Sequence, residues 1–398
     1  MGVSGIERGV SETEIDQTAG GQLSGGLAGA GFVPRLRSIA LRSLARMYRP
    51  DERLFVFRVR RANGGIVSQG LSRRYTAITL IGLAEEGEGA AAPVLAGHGL
   101  HDVCGRLMGD LARVDNLGDA ALILWAARAV GYPDRRWAWE RLVELRPADA
   151  AYPVVEVAWA LAALCIDPEA PAGELRERLA RRLLSSFSAR SGAFPHVLGG
   201  TSAGLRSHVS CFADLVYPVH ALAHYFKLSG DREALEVASR CADHICRLQG
   251  PAGQWWWHYD RRTGDVIEPY PVYAVHQDAM APMALFALGD ASGADFTHAI
   301  GKGLGWLART PELLGGSLID GNADLIWRKV ARCEPAKLSR YVQALASRLH
   351  PGLRVPALDV VFRAGAVDYE DRPYHLGWLL YAWAPARVAR WEDKDVTR

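Results

Sequence analysis

The chain is poor in cysteine, and its six cysteines (Cys104, Cys165, Cys211, Cys241, Cys246 and Cys333) are scattered over 398 residues without a C-x-x-C pair. No dense disulfide framework is encoded. Most of these thiols sit inside apolar helical patterns, where they read as small, reduced, buried hydrophobes. Charge is balanced, with 46 basic and 44 acidic residues and a formal net charge of +2. That balance offers no electrostatic case for a nucleic-acid partner. No apolar run approaches the length of a membrane span. The N-terminus carries Glu7, Glu12, Glu14 and Asp16 and lacks the apolar stretch of a signal peptide. Walker A, G-x-S-x-G and H-E-x-x-H patterns are missing too, which removes nucleotide hydrolysis, triad esterase and zincin readings. A cytoplasmic enzyme or binding protein is expected.

What is present is a large apolar fraction, 49% of residues against 23% charged, ordinary for a globular chain with a sizeable core. Residues 1–31 are rich in Gly, Ser and Ala without periodicity, and predict a disordered tail. Within 32–71, Leu36, Ile39, Leu44, Met47 and Tyr48 recur at helical spacing among Arg35, Arg37, Arg42 and Arg46. A basic amphipathic helix of this kind can touch a membrane surface, but a helix packed on the main body with solvated arginines is the favoured reading. Leu54 to Arg60 alternates like a short strand leading to the Gly64-Gly65 turn.

From Ser72 to about residue 390 the chain reads as helix after helix, in pairs. One member is apolar on all sides: Tyr75 to Leu83, Leu117 to Val130, Val154 to Leu164, Phe212 to Leu228, Met280 to Leu288 and Leu376 to Trp383. The next is amphipathic and charged, as in Glu174 to Ser188 and Arg232 to Leu248. Helices apolar all round are buried and amphipathic ones face water, so the alternation predicts an inner ring inside an outer ring. Tyr75, Asn116, Tyr152, Phe212, His276, Asp324 and His375 mark approximate starts of inner segments, at spacings in the range of helical hairpins. The expected class is all-α: an (α/α) toroid of about six helical hairpins spanning 72–390, preceded by an accessory helix and strand.

Two segments look like copies. Gly192-Ala193-Phe194-Pro195-His196 precedes a helix carrying Asp214 and Pro218, and Gly253 to His258 precedes one carrying Asp278 and Pro282. The offset that superposes the prolines also superposes the aspartates.

The densest chemistry lies in Gln254-Trp255-Trp256-Trp257-His258-Tyr259-Asp260, followed by Tyr270, Tyr273, His276, Gln277 and Asp278. Three adjacent tryptophans cannot all face one core, because side chains alternate on a strand and spread around a helix. At least one ring is left for a flat-faced polar ligand such as a sugar. Asp278 and His276, at an inner-helix start, are the leading candidates for catalysis, although a first-turn acid also serves merely to start a helix. Asp214, Tyr217 and His224 share a face of the preceding inner helix, with His220 at its edge, and Asp214, Tyr217 and Tyr273 join the catalytic candidates. Substrate-binding candidates are Trp255, Trp256, Trp257, His258, Tyr259, Asp260, Gln277, Arg74, Tyr75, Asn116, His196, His208 and His220. Asp320, Asn322 and Asp324 alternate in a loop but lack the downstream bidentate acid of an EF-hand. No metal or cofactor is expected.

Arg247-Leu248-Gln249 through Gly253-Gln254-Trp255 resembles the Q-x-x-x-G-x-W turn of terpenoid-cyclase-like α/α toroids. The wider pattern is similar to six-hairpin glycosidases, toroid polysaccharide lyases and sugar epimerases. The architectural resemblance covers most of 72–385, the motif resemblance only about 186–290. It implies a carbohydrate substrate processed by hydrolysis, β-elimination or C5-epimerisation in a central pocket. Hydrolysis usually needs two carboxyl groups, and Asp278 has Asp214, Asp260, Asp320 and Asp324 as possible partners. Lyase or epimerase chemistry would use Tyr or His as base, with Arg or Asn on the enolate. A terpenoid or prenyl-group enzyme is the first rival, but D-x-D-D and D-D-x-x-D are absent. A non-catalytic glycan-binding protein is the second.

Overall fold

The computed structural model describes residues 31–396 except 63, 170–171, 201–203 and 336. The tail expected over 1–31 falls almost wholly outside the described residues. Six helical hairpins follow in chain order, each an outer then an inner helix. The first is α1 (Phe32–Met47) and α2 (Arg73–Glu86). After the short α3 (Glu88–Val94) come α4 (Leu100–Gly109) with α5 (Leu117–Ala129), and α6 (Arg136–Glu144) with α7 (Val154–Ile166). They continue as α8 (Gly173–Ser186) with α9 (Phe212–Ser229), and α10 (Arg232–Arg247) with α11 (Ala281–Ser292). A π-helical turn, His276–Met280, leads into α11. The sixth hairpin pairs α12 (Thr297–Arg309) with an inner helix reached only after α13 (Leu338–Leu349) and α14 (Ala357–Val361), namely α15 (Pro373–Ala382). The C-terminal α16 (Pro385–Val396) follows.

Each inner helix packs on the next, and α15 packs on both α11 and α2, which closes the ring. Closure is backbone against backbone: a Cβ on Gly82 would lie 2.2 Å from the Gly377 carbonyl oxygen. The inner helices are buried nearly all round, as in α5, where Ala120 to Ala127 are all buried. The outer helices show one buried stripe, as in α10, where Ala234, Val237, Ala238, Cys241, Ala242 and Ile245 face inward. The N-terminal helix α1 belongs to the same core: Leu36, Ile39, Ala40 and Leu44 pack in it, and the helix lies against α15. Its arginines meet the chain's own acids, Arg37 on Glu86 at 2.6 Å and Arg42 on Asp324 at 2.8 Å. No helix among the described residues is long and apolar enough to cross a membrane.

Connections are strongly unequal. Most inner-to-outer turns are short, as at Gly230-Asp231, whereas every strand among the described residues lies in an outer-to-inner connection. Leu54–Ala62 pairs with Gly65–Ser72 in a hairpin much longer than the expected short strand, and Lys329–Arg332 bridges Val272–Tyr273 and Ala364–Asp368. The elaborated end of the ring is therefore the one where the inner helices begin. Asp324, expected to start an inner helix, instead sits in the turn between Ile319–Asp320 and Leu325–Ile326, with φ 48°. Arg42 and Arg46 bind its carboxylate and Arg61 binds Asp320, so arginines occupy the oxygen-rich loop.

Candidate functional site

Polar side chains gather in separate bonded groups at the starts of the inner helices, at the elaborated end. On α2, Arg74 reaches Asp119 of α5 at 2.5 Å and Glu156 of α7 at 3.3 Å, and it also bonds Asn116. Asn116 caps α5 by accepting from the Asp119 N–H, and donates to Glu156 at 3.1 Å. On the other side of α2, the Tyr75 hydroxyl accepts from Arg372 at 3.0 Å, just before α15. Asp119, Glu156 and Asp214 occupy the third position of three successive inner helices, where the helix dipole favours an anion.

Asp214 is fully enclosed. It accepts the Cys211 N–H at 2.7 Å and the His196 Nδ1–H at 3.0 Å. The His196 side chain is 52% exposed, so the opposite ring nitrogen is left toward solvent. The hydrogen bond and charge of Asp214 raise the His196 pKa above the usual imidazole value, against opposing effects of burial and Arg206. Val197–Leu198 pairs with Tyr152–Pro153, and the His196 carbonyl accepts the Val154 N–H, so the imidazole is seated between the starts of α7 and α9. His196 Nδ1, the Cys211 thiol and an Asp214 oxygen all lie within 4.8 Å of one another, a grouping able to hold a metal ion. Burial and Asp214 push the Cys211 thiol well above its ordinary pKa, and a metal bound there would have to displace its proton.

Asp278 has a different setting. Its carboxylate is fully buried and receives His375 Nε2 at 2.8 and 2.9 Å, while its carbonyl accepts the Trp383 indole N–H. Asp371, also buried and pushed up to about 7 by desolvation, completes the cluster behind His375. The acid expected to face the cavity beside His276 is thus turned into the wall between α11 and α15. His276 is 5% exposed, packed between Phe212 and Tyr273, and burial drives its pKa down to about 3. Tyr273 lies beneath Arg328 and Lys329, and Tyr217 packs on Trp159 and Trp378; burial raises the pKa of both phenols.

The three tryptophans of the turn differ in burial. Trp255 is fully buried, held through Gln277, whose Oε1 accepts the Trp255 N–H. Gln249 Nε2 donates to the Gly253 and Ala299 carbonyls, pinning the Q-x-x-x-G-x-W turn to α12. Trp256 is half-buried against Tyr270, and Tyr259 is buried with its hydroxyl on the Trp256 carbonyl. Trp257 stacks on His258 at 3.9 Å and lies 5.1 Å from the Arg340 guanidinium. Asp260 is consumed by Arg262, His208 by Ser347 of α13, and His220 by His224 and Tyr381 deep in the ring.

Of the expected site residues, the structure brings Arg74 and Asn116 into one polar network, sets Tyr75 with Arg372 on the other side of α2, and pairs His196 of a connection with Asp214 of α9. Trp255, Tyr259, Asp260, Gln277, His208, His220 and Asp278 are all buried, and the phenol, carboxyl, amide and imidazole groups among them are each bonded within the chain. Glu156 was not anticipated, although an isolated acid in the very apolar Val154–Ile166 was a visible signal. Arg206, Arg340 and Arg372 carry no sequence signal, because they arrive on connections.

No family model matches the chain, and no curated protein matches it. Solved structures do. An unsaturated glucuronyl hydrolase specific for heparin superposes with a TM-score of 0.59 at 14% identity, over 92% of this chain and 100% of that one. The unsaturated glucuronyl hydrolase of Bacillus sp. GL1 gives 0.57 at 14%, over 90% and 96%. Cellobiose 2-epimerase from Bacillus thermoamylovorans gives 0.59 at 10%, over 90% and 99%. The chain is a six-hairpin α/α toroid. At these identities the likeness is one of fold, and chemistry has to be argued from the side chains.

Proposed function

We propose that the protein is a carbohydrate-processing enzyme whose site lies where the inner helices begin, with His196 transferring the proton. The observation that carries this reading is a half-open imidazole fixed through Nδ1 by a fully enclosed carboxylate. Such a pair holds one tautomer, presents Nε2 to a substrate, and stabilises the imidazolium formed after proton uptake. Glu156 lies two residues beyond Val154, whose N–H binds the His196 carbonyl, and its carboxylate is held by Asn116 and Arg74. This donor set serves proton abstraction next to a sugar carbonyl or carboxylate, as in epimerisation or elimination. It also serves hydrolysis, with His196 as acid and Glu156 opposite. The neighbours of the same fold act, by their names, on unsaturated glucuronyl compounds and cellobiose, which favours a saccharide over a prenyl substrate.

The test is incubation with acidic and neutral oligosaccharides in deuterated water. Cleavage with water addition marks hydrolysis, cleavage with an unsaturated product marks elimination, and deuterium uptake without cleavage marks epimerisation. If every saccharide is inert while a prenyl diphosphate is consumed, the reading fails.

A further inference from the structure

Arg206 bonds His258, whose strand pairs with Cys211, the residue that donates its N–H to Asp214; Arg340 lies over the neighbouring Trp257, and neither arginine has a part in the chemistry above. They come from separate segments, the connection before α9 and helix α13. Other arginines at this end are neutralised: Arg74 by Asp119 and Glu156, Arg372 by Glu370, Arg328 by Glu370 and Asp368. Arg206 and Arg340 are not. Among the described residues neither has a carboxylate partner, and the Nε–H of each is buried without an acceptor.

Their other contacts hold the two cations in place without cancelling them. Arg206 Nη2 donates to His258 Nε2 at 2.8 Å, which makes His258 an acceptor there and therefore neutral. Burial and the nearby cations keep it so, well below its ordinary pKa. The Arg340 guanidinium lies over the rings of Trp257 and Tyr341, at 5.1 and 5.8 Å, and Trp257 in turn stacks on His258. Arg340 is near enough to depress the Arg206 pKa, adding to the effect of burial. Two half-buried like charges with unspent donors cost stability unless a counter-charge joins them. Planar guanidinium forks match oxyanions.

We infer that Arg206 and Arg340, braced by Trp257 and His258, form an anion-binding subsite that takes a carboxylate, sulfate or phosphate carried on the sugar substrate. The inference rests on the carbohydrate reading and narrows its substrate class to acidic saccharides. Arg206, His258, Cys211, Asp214 and His196 follow one another through strand pairing and hydrogen bonds, which sets the anionic group on the same side of the ring as the proton-transferring imidazole.

The experiment is equilibrium binding to the full-length protein of glucuronate, glucose 6-sulfate, glucose 6-phosphate and neutral glucose. At least one anionic sugar is expected to bind about 10-fold or more tighter than glucose, with the advantage shrinking as salt rises from about 0.05 to about 0.5 M. The three arms show which oxyanion the site prefers. Arg206→Gln and Arg340→Gln should each bring affinity to within about 3-fold of that for glucose, and Arg340→Lys should restore part of it. Arg181→Gln, on the outer surface, should change nothing. Melting curves establish that each variant is folded, and the lysine variant keeps the test open should one glutamine variant unfold. Equal affinity for glucose and all three anions, or indifference to both arginine substitutions, overturns the subsite. Failure of the enzyme reading looks different: anion preference persists while no saccharide is turned over. His196→Gln should likewise bind anions normally without turnover.

Discussion

His196 and Asp214 meet at 3.0 Å with opposite exposures, the imidazole half open to solvent and the carboxylate sealed. That contrast sets the pH behaviour of the proposed chemistry. The His196 pKa is raised by Asp214, so a reaction using His196 as base should have kcat/KM that climbs only as pH passes above the usual imidazole value. Asp214→Asn removes the cause, and should move this limb to lower pH while cutting the rate about 10²-fold or more. His196→Gln should abolish the limb. The stability linkage has the other slope: the pair contributes fully below the unfolded imidazole pKa and is lost as pH rises through the raised one. A pH–rate profile unchanged in Asp214→Asn rejects the role.

Glu156→Gln keeps the shape of the side chain and loses its charge. With Asn116 and Arg74 still present, folding should survive and kcat should fall at least about 10-fold. Full turnover in this variant would remove Glu156 from the site.

Asp278→Ala should act on stability. It leaves His375 buried beside Asp371 without its main counter-charge, and breaking such a pair costs about 3–5 kcal/mol. Urea denaturation measures the loss. A variant as stable as the parent but without turnover would return Asp278 to the catalytic group.

Gly253→Ala tests the tryptophan turn. Gly253 has φ +105°, and an added Cβ would fall 2.0 Å from the Lys302 carbonyl oxygen. The turn and α12 would have to separate, at a cost of more than about 1 kcal/mol, read as a lower melting midpoint.

Cys211→Ser addresses the metal-compatible trio. If Cys211 serves only through its backbone N–H on Asp214, turnover should stay within about 3-fold of the parent and survive dialysis against a chelator. Loss of activity restored by zinc would show that His196, Cys211 and Asp214 act as ligands.

The ring itself was legible in residue order, because six helices without a polar face have nowhere to go but inside a second layer. The turn around Trp255 was legible too, since Gln249, Gly253 and Trp255 each do a job that few other residues can do. Which acid faces substrate was not. Asp214 and Asp278 occupy matching places in two similar segments, and nothing local separates them. Glu156 offered a hint, one charge in an apolar helix, whereas Arg206 and Arg340 gave none.

The sequence alone determined two concentric layers of helices and an aromatic, acid-bearing region between the fourth and fifth inner helices, because burial periodicity is a local property. Tertiary structure decided the use of each acid. Asp214 is joined to a histidine only 18 positions away on an exposed loop, and Asp278 to His375, 97 positions away inside the closing helix. Exposure and charge pairing depend on such distant neighbours, and only closure of the ring brings them together.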